Sequence, residues 1–184
     1  SATDEVNATY TAGDSEIGSI TLTLTSSGGS CGTVTATKTI TVNALPTVTV
    51  NNETICAGDA APTFTATATS GTAATWLWSG EGTGTAATTT GTTAGNYTVV
   101  VTDAQGCESA PATGILTVNA LPTATVNNET ICDGDPAATL TATSSTATSW
   151  LWSDNGAGTA QTTTGTTAGN YTVVVTDAQG CESA

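Results

Sequence analysis

Gly91–Ala110 reads GTTAGNYTVVVTDAQGCESA, and the same twenty residues return unchanged at Gly165–Ala184. A second pair precedes it: ALPTVTVNNETICAGD from Ala44 returns as ALPTATVNNETICDGD from Ala120. The offset is 76 positions at the front and 74 at the back, which places a two-residue deletion between Thr67 and Trp76. A loop absorbs such a deletion at little entropic cost. The repeat is about 75 residues long, the size of one small domain.

The N-terminal stretch SITLTLTSSGGSCGTVTATKTITVN matches only the back half of this unit, with Cys31 at the position of Cys107. Three segments result: residues 1–43 are the C-terminal part of a truncated module, 44–119 a complete module, and 120–184 a module lacking its last strand. Two readings of these ragged ends stand open. One is a window taken from a longer array; the other is completion of an open sheet edge by a neighbouring chain.

Thr makes up roughly a quarter of the chain and alternates with Val, Ile, Leu or Ala, as in ITLTLT and TVTV. Period two with β-branched residues is the strand signature. In the complete module this predicts strands at Thr47–Asn51, Thr63–Ala68, Thr75–Ser79, Thr85–Thr90, Tyr97–Thr102 and Gly114–Asn119, with a short edge piece near Gly82. Alternation sets Trp76 and Trp78 on one side with Leu77 opposite, and Tyr97, Val99 and Val101 on one side with Val100 opposite. The first set of each points inward, so Trp78, Tyr97 and their copies Trp152 and Tyr171 are core candidates. The expected fold is all-β: tandem β-sandwich modules in an elongated array. Short connectors such as VNALPT at Val42–Thr47 couple neighbouring modules semi-rigidly, because proline restricts the backbone.

The chain has no His and no Met, one Lys or Arg in total (Lys38), and a formal net charge of −14. That removes the usual general base, the base-activated nucleophile and the basic cluster that phosphate requires. Catalysis and nucleic-acid binding are excluded on these grounds, and no apolar run is long enough to insert in a membrane. Lys38 aligns with Gly114, which predicts a bulge or edge position.

Each full module carries one early cysteine, in ICAGD or ICDGD, and one late cysteine, in QGCES. The natural pairs are Cys56 with Cys107 and Cys132 with Cys181, leaving Cys31 unpaired in this window. A thiol-ligated metal is the competing reading, but there is no CxxC and no His to complete it. Disulfides place a protein outside the cytoplasm.

The stretches LPTVTVNNETICAGDAAPTFTATA, WLWSGEGTGT and GNYTVVVTDAQGCES resemble the immunoglobulin-like and PKD-like repeats of very large cell-surface proteins of Bacteroidetes. The N-terminal segment is similar to the sister repeat that accompanies them in proteins exported by type IX secretion. The resemblance covers essentially the whole chain. It implies an immunoglobulin-like sandwich and an extracellular location on the outer cell surface. The role it implies is adhesive or motility-related, as in gliding-motility adhesins or repeat-rich filaments. It brings no catalytic residues. Tyr97 and Tyr171, each at the entry to its strand, resemble the tyrosine corner of such folds.

Two kinds of site remain. Asp59, Asp103, Asp135 and Asp177 fall near expected turns where hard oxygen ligands could hold calcium, although no EF-hand spacing is present; the bland alternative is a solvated turn. The pairs Trp76/Trp78 and Trp150/Trp152 would form a platform for a surface polysaccharide if exposed, and core if buried. The other partners implied are neighbouring modules of the same chain and identical chains in a filament.

Overall fold

The computed structural model of the chain describes residues 9–13, 16–26 and 32–184, and no helix occurs among them. Cys31 lies outside the described residues. The strands are β1 (Gly18–Ser26), β2 (Val34–Val42), β3 (Thr47–Val50), β4 (Glu53–Cys56), β5 (Thr63–Ser70), β6 (Ala73–Gly80) and β7 (Thr88–Thr90). They continue with β8 (Gly95–Asp103), β9 (Ala112–Asn119), β10 (Thr125–Val126), β11 (Ala138–Thr143), β12 (Ala147–Asp154), β13 (Thr162–Gly165) and β14 (Tyr171–Asp177). The chain is all-β, built from several small, mostly antiparallel sheets.

β1 and β2 form an antiparallel hairpin with unbroken register from Gly18 opposite Val42 to Ser26 opposite Val34. Lys38 faces Leu22 within that regular ladder, so the expected bulge is absent and the edge reading stands.

The first full repeat builds two sheets, ordered β3-β5-β7 and β4-β9-β8-β6. The rings of Phe64 on β5 and Tyr97 on β8 stack with centroids 4.0 Å apart, a contact between a strand of one sheet and a strand of the other. β4 was not expected: ETIC is short and half polar, and its partner β9 lies some sixty residues on and runs parallel to it, Glu53 opposite Leu116 and Cys56 opposite Asn119. No strand forms near Gly82, where the chain turns before β7.

In the second repeat the sheets are β10-β11-β13 and β12-β14. Leu140, Ala142 and Trp152 make its core, with Val126, Trp150, Tyr171 and Val173 packed against them. The chain separates into two compact units that do not follow the repeat boundaries. One comprises Ser1–Asn51, Thr65–Thr89 and Thr98–Thr113; the other comprises Asn52–Phe64, Thr90–Tyr97 and Gly114–Ala184.

Candidate functional site

Tyr97 is fully buried and its hydroxyl donates to the carbonyl of Thr93 at 3.0 Å. Tyr171 makes the same bond to Thr167. The bond ties each strand entry to the loop before it and gives the buried phenol a partner. At Gly91 and Gly165 an added Cβ would fall 2.2 and 1.8 Å from that hydroxyl, so the tyrosine fits only because glycine lies beneath it.

Trp78 and Trp152 are each only 4% exposed. Their indole N–H groups donate to Ala86 O and Ala160 O, both at 2.9 Å. Trp76 and Trp150 are half-buried, with indole nitrogens that are buried and without a partner. The exposed residue of each triplet is the intervening leucine, Leu77 or Leu151. The paired indoles therefore present no common open face, and the platform expected of an exposed pair does not form.

The four aspartates serve their own turns. The Asp103 carboxylate is buried and accepts from Gln105 N at 2.9 Å and Cys107 N at 2.8 Å, which closes the turn after β8. Asp177 repeats this with Gln179 N and Cys181 N. Asp59 accepts from Cys56 N and Asp135 from Cys132 N, at 2.8 and 2.7 Å. These are side-chain-closed turns of the kind Asp favours. Among the described residues no three His, Cys, Asp or Glu side chains gather as a metal site.

The cysteine pairing differs from the expectation. Cys56 is bonded to Cys181, 125 positions on in the sequence, with Cα atoms 5.6 Å apart. Cys107 and Cys132 are free thiols, the first half-buried and the second exposed. Cys56 does not bond Cys107 because β4 runs parallel to β9. Cys56 comes opposite Asn119, the last residue of β9, while Cys107 lies in the turn before its first residue, Ala112. The length of β9 between those levels is about 23 Å at the usual strand rise, against the roughly 7 Å limit between Cα atoms of a disulfide. Cys181 instead arrives beside the Cys56–Asp59 turn and Leu121, where Gly180 and Glu182 share a small depression with them. The early cysteine of one copy is joined to the late cysteine of the next. Equal spacing inside each copy concealed this, because the sequence does not show that β4 and β9 are parallel.

A groove of about 1040 Å³ opens in the second repeat. One wall is Asn127–Asp135 and the other Gly165–Thr172, with Val126, Ala138 and Leu140 between them. In the first repeat the corresponding space holds β9, between β4 and β8.

No protein-family model matches the chain, and no curated protein sequence is similar to it. Among solved structures, it is similar to the fibronectin(III)-like modules of Clostridium thermocellum CbhA at 18% identity. That match covers 75% of this chain and 90% of the other, with a TM-score of 0.37. It is also similar to SGBP-B of the Bacteroides ovatus mixed-linkage glucan utilization locus, solved with a mixed-linkage heptasaccharide, at 19% identity and a TM-score of 0.29. Here 76% of this chain and 46% of the other are covered.

Proposed function

We propose that this chain is a structural repeat segment of a secreted bacterial surface adhesin or filament, in which immunoglobulin-like modules act as a stalk in attachment or gliding motility after type IX export. The observation that carries this reading is the Cys56–Cys181 bond, which ties one repeat copy to the next instead of stapling a copy to itself. A link of that kind resists separation of successive copies under tension. It also requires an oxidising compartment, which supports an extracellular location. The buried Trp78 and Trp152 supply core in both copies, and the aspartates close turns, so the conspicuous side chains serve architecture. With one cationic side chain in 184 residues, the chain offers trypsin almost no cleavage points, a useful property for a protein exposed to extracellular proteases.

The test is the native, unreduced protein, viewed on intact cells by electron microscopy and sized in detergent extract on a denaturing gel. A thin surface fibre whose mass resides in one very large chain is the expected result. An intracellular protein, or one released from cells without any fibre, overturns the reading.

A further inference from the structure

Cys56 and Cys181 are bonded across 125 positions of sequence, and the bond makes a covalent loop of everything between them. Inside that loop lie Phe64, Trp78, Tyr97, Trp152 and Val175, buried side chains on which both copies are built. The hydroxyl bonds from Tyr97 to Thr93 and from Tyr171 to Thr167 lie inside it as well. Outside it are the β1–β2 hairpin, β3, β4 as far as Cys56, and the residues after Cys181.

Tension follows the shortest covalent path. A pull between a point before Cys56 and a point after Cys181 runs through the two sulfurs and does not enter Ala57–Gly180, however strong or weak the packing there. Without the bond, the same pull runs along the backbone through every strand from β5 to β14. The parts that stay in the load path yield readily. Gly18 lies opposite Val42 at the open end of the first hairpin, so tension parts its rungs one at a time, and a two-stranded ribbon is marginally stable to begin with.

We infer that the Cys56–Cys181 bond is a redox-controlled length reserve. Oxidised, it shields Ala57–Gly180 from tension and keeps the load off both cores; reduced, it surrenders that segment to the pull. The reserve is about 430 Å of contour, against about 200 Å for the parts outside the loop, both taken at the reach of an extended chain. The inference deepens the stalk reading and rests on it for the source of tension in the cell, whereas the mechanics belong to the chain itself.

Opening the bond takes two electrons from a thiol reductant. Cys181 is 1% exposed, while Cys56 is half-buried at a surface depression with Asp59, Leu121 and Glu182, so the incoming thiolate meets Cys56. It forms a mixed disulfide with Cys56 Sγ and expels Cys181 as a thiolate, which takes up a proton from water. A second thiol of the reductant then displaces Cys56, and the reductant leaves as its own disulfide.

The test is single-molecule extension of the intact chain, held by handles fused at Ser1 and Ala184. The oxidised chain should gain at most about 200 Å of contour. Dithiothreitol added at constant force should release about 430 Å more, in the wild type and in Cys107→Ser alike. Cys181→Ser should give the whole length, about 630 Å, without reductant; contour does not depend on folding, so this holds even where the variant packs poorly. An oxidised chain that gives its full length without reductant overturns the inference. So does a total release of about 340 Å on reduction, the value for two bonds each closed inside one copy. If these lengths are found and cells carry no fibre, the stalk reading falls and the bypass stands; a fibre with the wrong lengths removes the bypass alone.

Discussion

Trp76 and Trp78 stand two residues apart on one strand, and their indoles are treated differently. Trp78 donates to Ala86 O, whereas the buried indole nitrogen of Trp76 has no partner. Replacing either by Phe removes comparable apolar area, but only Trp78→Phe breaks a hydrogen bond and strands a carbonyl. Trp78→Phe should therefore cost about 1–2 kcal/mol more than Trp76→Phe in urea unfolding; equal costs would show that Ala86 O finds another donor. Asp103 is a second such case, since one oxygen receives two backbone N–H groups. Asp103→Ala should cost about 3 kcal/mol, and Asp103→Asn less, because the amide oxygen still accepts. Glu16 gives a pH test. The Gly13 N–H, and next the Tyr10 hydroxyl, hold its carboxyl below the ordinary value of 4.5. A depressed folded pKa means that the contribution to the loop is present above the ordinary value and is lost as pH falls through the lower folded one. The Gly13 amide resonance should therefore titrate with a midpoint below 4.5, and a midpoint at or above that value would show the contacts absent in solution.

Identical hexapeptides with different structures show that β4 exists through its partner. ETIC carries two β-branched residues, Thr54 and Ile55, but four residues do not hold a strand unpaired, and the ladder to β9 supplies the pairing. In hydrogen exchange the amides of Glu53–Cys56 should be far slower than those of Glu129–Cys132, although the residues are the same; equal rates would deny β9 that role. This is also why the sequence was legible only in part. Strands that alternate Thr with apolar residues, such as β5, β8 and β9, were readable from period two, as were the buried positions of Tyr97 on β8 and Trp78 on β6. β4 was hidden because a parallel pairing between distant segments leaves no local signal. The aspartates were expected near turns, and each carboxylate there accepts from the backbone of its own turn.

At the scale of the whole chain the decisive link is the bond from Cys56 to Cys181. Closing a loop between residues 125 positions apart removes about 5 kcal/mol of unfolded-chain entropy in the simplest account, compared with about 4 for the loop of some fifty residues inside one copy. The larger effect falls on the unit that holds both cysteines, Asn52–Phe64 with Thr90–Tyr97 and Gly114–Ala184. Reduction should therefore lower the unfolding midpoint of that unit sharply, and Cys181→Ser should lower it to the same extent. Cys107→Ser should leave it unmoved, because Cys107 is a free thiol. The comparison separates the two pairings cleanly. If Cys56 were bonded to Cys107, Cys107→Ser would reproduce the effect of reduction on that bond, and the only loss from Cys181→Ser would be its bond to Cys132. Non-reducing peptide mapping reads the same distinction directly: a Cys56–Cys181 peptide pair means that load crosses from copy to copy through a covalent bond. A Cys56–Cys107 pair would leave only strand β9, the Leu121 connector and non-covalent packing to carry it.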